Sequence, residues 1–497
     1  MDKQLRNGLP KQCLFVNANG EIMIIEYGKA GFTRYKLSTD NKKANLDIVN
    51  NYNEKNGITS EQVKIMHKAA LMGWNYIHNS HTPEWKESNV KNNHIFEIEI
   101  RFHNPSGDNT FAKISLPATT YELIDALDKA RITDENIYSI ELINSELDYL
   151  PQLISHDTNL YELNYLADRL SELSQWELDC FEGMVMMNTI QNQYNPIAVE
   201  RLINMTYSTG DCQIVYEAHD DTSLGKFYVD NEFVTDLENL DEGIIQWLDY
   251  TKIGKEMREA EGGVFTSHGY VVQNGEITQT YQSSDAIPAE KPDYTVLLRV
   301  EKECFNNSEN KNNLVALLKL PTDDKALSQV IETIGASSPE ECIFSAEDCM
   351  VPSLTEKIND TLYESEGGCY GLVNELARQL KNMSDKGNIM TYKAMIKNAT
   401  EDITLEDVLD LSYKTENFSV IREVSTTAEY ARSILSKYCI ECEKELFASA
   451  DLYHYGKKLM EKKGVSLTDY GVLWSLTGQT VEQCLERSEK SQGMEMK

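Results

Sequence analysis

The stretch "EAHDDTSLGKFYVDNEFVTDLENLDEGIIQWLDYTKIGKEMREAEGGVFTSHG", residues Glu217–Gly269, combines dense negative charge with a helical pattern. Its first 33 residues hold ten acids and one base, Lys226. A disordered acidic tail would lack apolar periodicity. Here apolar residues recur at the three- and four-residue spacing of amphipathic helices, namely Leu240, Ile244, Trp247 and Leu248, then Tyr250, Ile253, Met257 and Ala260. We therefore predict folded helices whose carboxylate surface is not neutralised by nearby residues.

Helix-end signals agree with that prediction. Asn239, with Glu242 three residues later, can cap the first helix, and Gly262-Gly263 can end the second. The acidic stretch is therefore expected to be part of a folded domain.

Composition limits the classes of protein that fit the whole chain. It has 497 residues, 41% of them hydrophobic, and a net charge of −33, so two to four domains are expected. Such a charge repels nucleic acid and anionic membranes and attracts basic surfaces. No apolar run is long enough to span a membrane, and the N-terminus lacks the apolar segment of a signal peptide. We expect a cytoplasmic protein.

The negative charge is concentrated in one region. Residues 1–92 carry a net charge of +4, residues 93–288 carry −25, and residues 289–497 carry −12. A halophilic protein would be acidic over its whole surface, including the first segment. The central region therefore has its own reason to be acidic.

The first 92 residues predict a small α+β module. Residues 12–27 contain two apolar strands around Asn19-Gly20, a hairpin signal, and a helix begins at Thr59 with Gln62 completing a capping box. The helical segment "TSEQVKIMHKAALMGW" resembles N-terminal segments of mobile-element proteins of Gram-positive bacteria. His78 and His81 are assigned no metal, and residues 81–93 are predicted to be a linker.

A unit of about 200 residues recurs after the linker. Four segments recur in the same order at shifts of 202 to 210 residues: 114–127 with 318–331, 160–174 with 370–384, 207–217 with 413–423, and 249–271 with 451–473. These matches pair Leu116-Pro117 with Leu320-Pro321, and Asn164 with Asn374. We predict a tandem duplication.

Each copy is predicted to be α+β. Strands 95–102 and 294–302 precede a second strand and a helix, which in the first copy starts at Thr119 or Thr120. An amphipathic helix follows, with Leu160, Leu163, Leu166, Leu170 and Leu173 on one face. We expect an elongated chain of three parts: 1–92, 93–288 and 289–497.

The motifs "NLYELNYLADRLSEL", "VYEA" and "LDYTKIGKEM…GGVFTSHGYVV", in that order around an acidic helix, resemble the antirestriction protein ArdA family. The resemblance covers residues 93–280 and, more thinly, 291–480. It implies an elongated dimer whose carboxylates follow the path of B-form DNA phosphates and occupy the DNA-binding groove of type I restriction–modification enzymes. Physics is consistent with this mechanism, because DNA-binding proteins hold the closely spaced phosphates of a duplex largely through lysine and arginine.

Some acids of the central region are better candidates for phosphate mimics than others. Lys252 with Glu256, and Lys255 with Glu259, are four apart on one helix and are expected to pair. The candidate phosphate mimics have only Lys226 among them: Asp220, Asp221, Asp230, Glu232, Asp236, Glu238, Asp241 and Glu242. The competing interpretation is that an acidic run is simply a solvated surface.

The second copy departs from this pattern. It reads "LSKYCIECEKELFASAD" where the first copy has its acidic run, so direct mimicry by residues 289–497 is in doubt. One hypothesis is that this copy stands in for a partner subunit, making the chain a single-chain pseudo-dimer rather than a homodimer. Cys439 and Cys442 in this segment lack the second pair of a zinc site and the context of a redox motif, so buried thiols are favoured.

Other classes of function remain open. The chain contains no P-loop, GxSxG, HExxH or paired CxxC motif, so we predict no catalytic residue, no cofactor and no metal. A carboxylate pair for catalysis is still compatible with 80 acids. The alternative to antirestriction is a non-enzymatic acidic scaffold or accessory protein of a conjugative element that binds another basic DNA-processing protein.

Overall fold

The computed structural model describes residues 12–16, 22–28, 31–37, 42–59, 62–63, 94–102, 110–132, 138–156, 158–192, 195–231, 233–234, 247–283, 292–302, 315–364, 369–400, 402–437 and 451–485. In these ranges the chain is α+β, with helices and three-stranded antiparallel sheets, which confirms the predicted fold class. No helix in these ranges is long and apolar enough to cross a membrane.

The chain divides into two compact units. We call residues 91–118 and 126–291 the acidic unit. We call residues 1–90, 119–125 and 292–497 the C-terminal unit. The short segment 119–125 therefore groups with the second predicted copy, although it lies in the sequence of the first.

The N-terminal residues contain the predicted hairpin. Strands β1 (Gln12–Val16) and β2 (Ile22–Gly28) pair antiparallel. Strand β3 (Gly31–Leu37) pairs with β2, and helix α1 (Lys42–Lys55) follows; neither was predicted. Leu14, Ile22, Ile24 and Val49 form their small core. The Thr59–Gln62 capping box is present, whereas His78, His81 and the predicted linker lie outside the described residues.

The acidic unit opens with a sheet of strand order β5-β4-β6. Its strands are β4 (Phe96–Phe102), β5 (Thr110–Leu116) and β6 (Tyr138–Ser145), and helix α2 (Thr120–Ala130) follows β5. Ile98 and Ile100 alternate with polar residues along β4 and are fully buried, as expected for a strand with one face on a core. The predicted strand at 95–102 and the helix start at Thr120 are confirmed.

Three helices follow: α3 (Leu160–Glu172), α4 (Gln175–Gln191) and α5 (Val199–Tyr207). The predicted leucine stripe of α3 is buried from Leu160 to Leu170, whereas Leu173 is half-buried beyond the helix end. Helix α4 buries Phe181, Met184 and Val185 along consecutive turns. A helix buried on most of its surface is the centre of a core rather than its cover.

A second small sheet completes the unit. Strands β7 (Cys212–Val215), β8 (Val264–Phe265) and β9 (Tyr270–Gln273) have the order β7-β9-β8. Helices α6 (Asp221–Asp230) and α7 (Tyr250–Glu261) lie between β7 and β8 in the chain. Helix α7 ends at Gly262, whose φ is 72°, and its predicted end is confirmed. The predicted preceding helix, with its Asn239–Glu242 cap, lies outside the described residues.

Residues 292–497 of the C-terminal unit repeat the order of strands and helices of the acidic unit, with one additional helix at Thr355–Glu364. Its first part has β10 (Val296–Lys302), β11 (Val315–Leu320), α8 (Asp324–Thr333), β12 (Cys342–Cys349), α9 (Thr355–Glu364), α10 (Tyr370–Asp385), α11 (Ile389–Asn398) and α12 (Leu405–Ser412). Its second part has β13 (Phe418–Ile421), α13 (Thr427–Lys437), α14 (Leu452–Lys463), β14 (Ser466–Thr468) and β15 (Gly471–Ser475). The strand orders, β11-β10-β12 and β13-β15-β14, match those of the acidic unit.

In each copy, the asparagine side chain contacts the residue that follows the Leu-Pro motif of the same copy. The Asn164 side chain accepts a hydrogen bond from the Ala118 main-chain N–H at 2.7 Å and donates one to the Ala118 carbonyl at 3.1 Å. Asn374 makes the same pair of bonds to Thr322, each at 2.9 Å. In both units the asparagine therefore fixes the residue that follows Leu-Pro. The predicted duplication stays a prediction, and this repeated contact supports it.

Candidate functional site

Helices α6 and α7, which carry the described part of the acidic stretch, cross at two glycines. A Cβ added to Gly225 would lie 1.9 Å from the Tyr250 carbonyl oxygen, and one added to Gly254 would lie 1.9 Å from the Asp221 carbonyl oxygen. Only glycine permits so close an approach of two backbones. The crossing therefore gives the acidic residues of α6 a fixed position relative to α7.

Asp220 is an exposed carboxylate held in place at the start of α6. Its Oδ1 accepts a hydrogen bond from the Ser223 main-chain N–H at 2.7 Å, and the Ser223 side chain completes a capping box. The Ser223 backbone hydrogen bond lowers the pKa of Asp220 below its ordinary value. Asp220 is therefore ionised at neutral pH and oriented by the helix end, as the phosphate-mimic prediction requires.

Asp221 differs from the prediction. The Arg258 guanidinium of α7 donates two hydrogen bonds to it, at 2.7 and 3.1 Å. The Arg258 side-chain hydrogen bond lowers the pKa of Asp221. The expectation that Lys226 is the one base near these acids is therefore wrong for Asp221. Its partner lies 37 residues away in sequence, and the helix crossing brings the two together.

The remaining candidate acids divide between described and undescribed residues. Asp230 is the last residue of α6 and is exposed. Glu232, Asp236, Glu238, Asp241 and Glu242 lie outside the described residues. Of the eight candidates, the structure therefore describes three, and two of these, Asp220 and Asp230, keep the exposure that mimicry needs.

The predicted ion pairs on α7 are present. Lys252 and Glu256 approach to 3.9 Å, as do Lys255 and Glu259, and all four side chains are largely exposed. Pairs of this kind contribute little to stability. They also leave the exposed surface of α7 nearly neutral, so it contrasts with the exposed acids of α6.

Glu261 has a structural role that the sequence pattern does not reveal. The hydroxyl of Tyr228 on α6 donates to it at 2.6 Å, and the hydroxyl of Tyr270 on β9 donates at 2.9 Å. Burial raises the pKa of both tyrosines, so both hydroxyls stay protonated and act as donors. Glu261 thereby joins α6, α7 and the sheet.

A second acidic group lies on α4. Asp179 is almost fully buried and accepts hydrogen bonds from Gln175 and from the Tyr216 hydroxyl. His268 Nε2 lies 3.7 Å from Asp179 and 3.8 Å from Glu182. Burial raises the pKa of Glu182 above its ordinary value. This arrangement brings two carboxylates to one histidine, and sequence spacing gave no sign of it.

Acids outnumber bases strongly among the described residues of 93–288. All ten bases of this region are described, together with 25 of its 35 acids. Ion pairs with acids inside the unit are made by Arg101, Arg169, Lys252, Lys255 and Arg258, among others. Even with every base neutralising one acid, the described part keeps a large excess of carboxylates.

Two exposed aromatic residues lie close in sequence to the candidate acids. Trp247, two residues before the Asp249 that caps α7, is 81% exposed, and Phe233 is 57% exposed. Exposed tryptophan is uncommon on a monomer surface, and buried tryptophan dominates many interfaces. Within the described ranges no group of three or more His, Cys, Asp or Glu residues is arranged to hold a metal ion.

Comparison with protein-family models and with curated proteins gives no match for this chain. The ArdA resemblance therefore depends on the sequence motifs alone.

Proposed function

We propose that this protein is an antirestriction protein that inhibits type I restriction–modification enzymes by occupying their DNA-binding groove in place of B-form DNA. The observation that carries the proposal is the pairing of a large carboxylate excess with a folded, glycine-packed helix pair. A basic groove built for phosphates attracts such a surface. Rigid carboxylates also bind without the ordering cost that a flexible acidic tail would have.

The second copy supplies an internal comparison that favours this proposal. Thr426 caps α13 where Asp220 caps α6, through a main-chain bond from Glu429 at 3.1 Å. An uncharged residue is therefore sufficient for the cap. Because the fold does not need a charge at that position, the charge of Asp220 is available for a partner.

The same comparison favours mimicry by the acidic unit over mimicry by the C-terminal unit. Helix α14, the counterpart of α7, carries four lysines and one glutamate. A basic helix does not imitate phosphates. The described part of the second copy is therefore better suited to supporting the first copy than to contacting a basic groove directly.

The test is competition between this protein and duplex DNA for a purified type I enzyme, followed by a gel shift at several salt concentrations. The variant Asp220→Thr/Asp230→Asn removes two exposed charges and keeps a capping residue. We expect inhibition several-fold weaker than that of the native chain and less dependent on salt, because exposed interface charges act through long-range, screened attraction.

The matched control is Glu256→Gln/Glu259→Gln, which removes two carboxylates that are already paired with lysines. It should inhibit within about twofold of the native chain. Reversing Asp236, Glu238, Asp241 and Glu242 to lysine should abolish inhibition without unfolding the chain. Inhibition that is unaffected by salt would contradict mimicry, and displacement of DNA from other basic proteins alone would favour the accessory role.

A further inference from the structure

In the C-terminal unit, the start of α2 is held by a buried polar contact. Asp125 is 4% exposed, and its Oδ1 accepts hydrogen bonds from Lys393 Nζ at 2.6 Å and from the Tyr470 hydroxyl at 3.0 Å. Lys393 is itself 3% exposed. A buried charge pair of this kind fixes which helix can bind at that place, because either charge alone would be costly to bury.

Two further residues complete the surface that receives α2. Asp348 accepts hydrogen bonds from the Thr119 hydroxyl at 2.7 Å and from the Tyr121 main-chain N–H at 3.3 Å. The Tyr121 hydroxyl donates to the carbonyl of Tyr294, and the two rings meet edge to face. We call Tyr294, Asp348, Lys393 and Tyr470 the receiving surface.

The acidic unit has the same four positions. In the sheet β5-β4-β6, Glu97 pairs with Asn144, and in the sheet β11-β10-β12, Leu297 pairs with Asp348. The register shifts directly after Glu97 and directly after Leu297, so Asn144 corresponds to Asp348. The Thr266 hydroxyl accepts a hydrogen bond from the main-chain N–H of His268, and the Thr468 hydroxyl accepts one from that of Tyr470. His268 therefore corresponds to Tyr470. On α4 and α11, "CFEGM" aligns with "TYKAM". The counterparts of the receiving surface are therefore His94, Asn144, Glu182 and His268.

These counterparts remain at least partly accessible. Asn144 and His268 are exposed, and Glu182 is half-buried beside His268. The Nδ1 of His94 is buried and has no hydrogen-bond partner among the described residues. Buried polar atoms are almost always paired in native structures. The acidic unit thus presents a copy of the receiving surface on which Lys393 is replaced by an acid.

The charge change selects the helix that fits. A helix with aspartate at the position of Asp125 would be repelled by Glu182, whereas a neutral hydrogen-bond donor there would be attracted. Helix α8 follows β11 as α2 follows β5, and it has Gln329 at that position and Lys325 one turn earlier. Both side chains are exposed, while Leu327 and Ile331 face the core of their own unit.

We propose that the surface formed by His94, Asn144, Glu182 and His268 is a docking site for helix α8 of a second copy of this chain. In this docked arrangement the Gln329 side-chain amide donates a hydrogen bond to Glu182. Lys325 donates one to the main-chain carbonyl of His94, the counterpart of the Tyr294 carbonyl that accepts from Tyr121. The contact joins helix α8 of one copy to the docking site of another, so it is heterologous. In a pair of copies, one docking site and one α8 remain free to bind further copies. This assembly does not depend on the target of the acidic surface.

The experiment is sedimentation velocity of the full chain across a hundredfold range of concentration at low salt. The native chain should show a weight-average mass that rises with concentration. Gln329→Asp, at an exposed position, should abolish the rise. The double variant Gln329→Asp/Glu182→Lys should restore it, because it recreates between two chains the Asp125–Lys393 pair.

The control is Gln483→Asp, which adds the same charge at another exposed glutamine, where aspartate can still accept the Thr480 main-chain bond. It should associate like the native chain. A native chain that stays monomeric throughout, a Gln329→Asp variant that associates normally, or a folded double variant that stays monomeric would each overturn the proposal. Circular dichroism of every variant establishes that the fold is retained.

Discussion

Replacing Gly254 by alanine tests the crossing that holds α6 and α7 together. The added Cβ would lie 1.9 Å from the Asp221 carbonyl oxygen, whereas ordinary contact begins at 3.4 Å. The helices must therefore separate by about 1.5 Å. Overpacking typically costs about 1–3 kcal/mol, and we take the upper end of that range because the neighbour is backbone and not a flexible side chain. Alanine favours a helix interior by up to about 1 kcal/mol over glycine. The net expectation is a loss of about 2 kcal/mol.

Hydrogen exchange measured by mass spectrometry is the suitable assay, because this chain has two units and global unfolding need not be two-state. Amides of α6 and α7 should exchange about 30-fold faster in the variant, since each 1.4 kcal/mol is a factor of ten. Gly371→Ala is the control: Gly371 lies in α10 with open space around its Cβ position, and slight stabilisation is expected. Protection in Gly254→Ala equal to that of the native chain would refute the reasoning.

Three further variants test separate contacts. Asn164→Ala should cost about 2 kcal/mol and increase exchange around Ala118, because it leaves two main-chain groups without their partner; unchanged exchange there would contradict this. Glu182→Gln should flatten the pH dependence of the unfolding free energy. Burial raises the pKa of Glu182 in the folded state, so the stability contributed by the protonated carboxyl is present below the unfolded pKa and is lost as pH rises through the folded pKa. Urea titrations from pH 4 to 7 would measure this change. Asp221→Thr/Arg258→Met, which installs the residues of the second copy, should stay within about 1 kcal/mol of the native chain by urea denaturation, since the pair is partly exposed; a larger loss would show that the ion pair is needed.

Local signals in the sequence predicted local structure well. The hairpin at 12–27 follows from alternating apolar residues around Asn19-Gly20, and the end of α7 follows from Gly262. Strand β3 and helix α1 were missed. Helix α1 carries few apolar residues, and its fit against the sheet depends on Val49 and on Asn53, which bonds to the Leu14 main chain. Such a helix is stabilised by its tertiary contacts more than by its own pattern.

Contacts between residues distant in sequence were beyond prediction. Arg258 neutralises Asp221 because two glycines let the helices approach closely, and a charge count along the chain cannot include that pair. The same limit applies to Asp179, which meets His268 through the packing of α4 on the second sheet. The matched landmarks at Asn164 and Asn374 were recognised as repeats, but the reason for their recurrence, a clamp on the main chain, required coordinates.

The two copies together separate what the fold needs from what a partner would need. At the helix crossing of the second copy, a Cβ on Gly456 would lie 1.9 Å from the Thr427 carbonyl oxygen, so the backbone packing is retained. The position of Arg258 is taken there by Met460, which belongs to an apolar cluster, and that of Glu261 by Lys463. The same scaffold therefore forms with lysines in place of carboxylates. Because the second copy folds without an acid at the positions of Asp220 and Glu261, and because like charges on one surface oppose folding, the acids at these positions are consistent with the proposed binding to a basic partner.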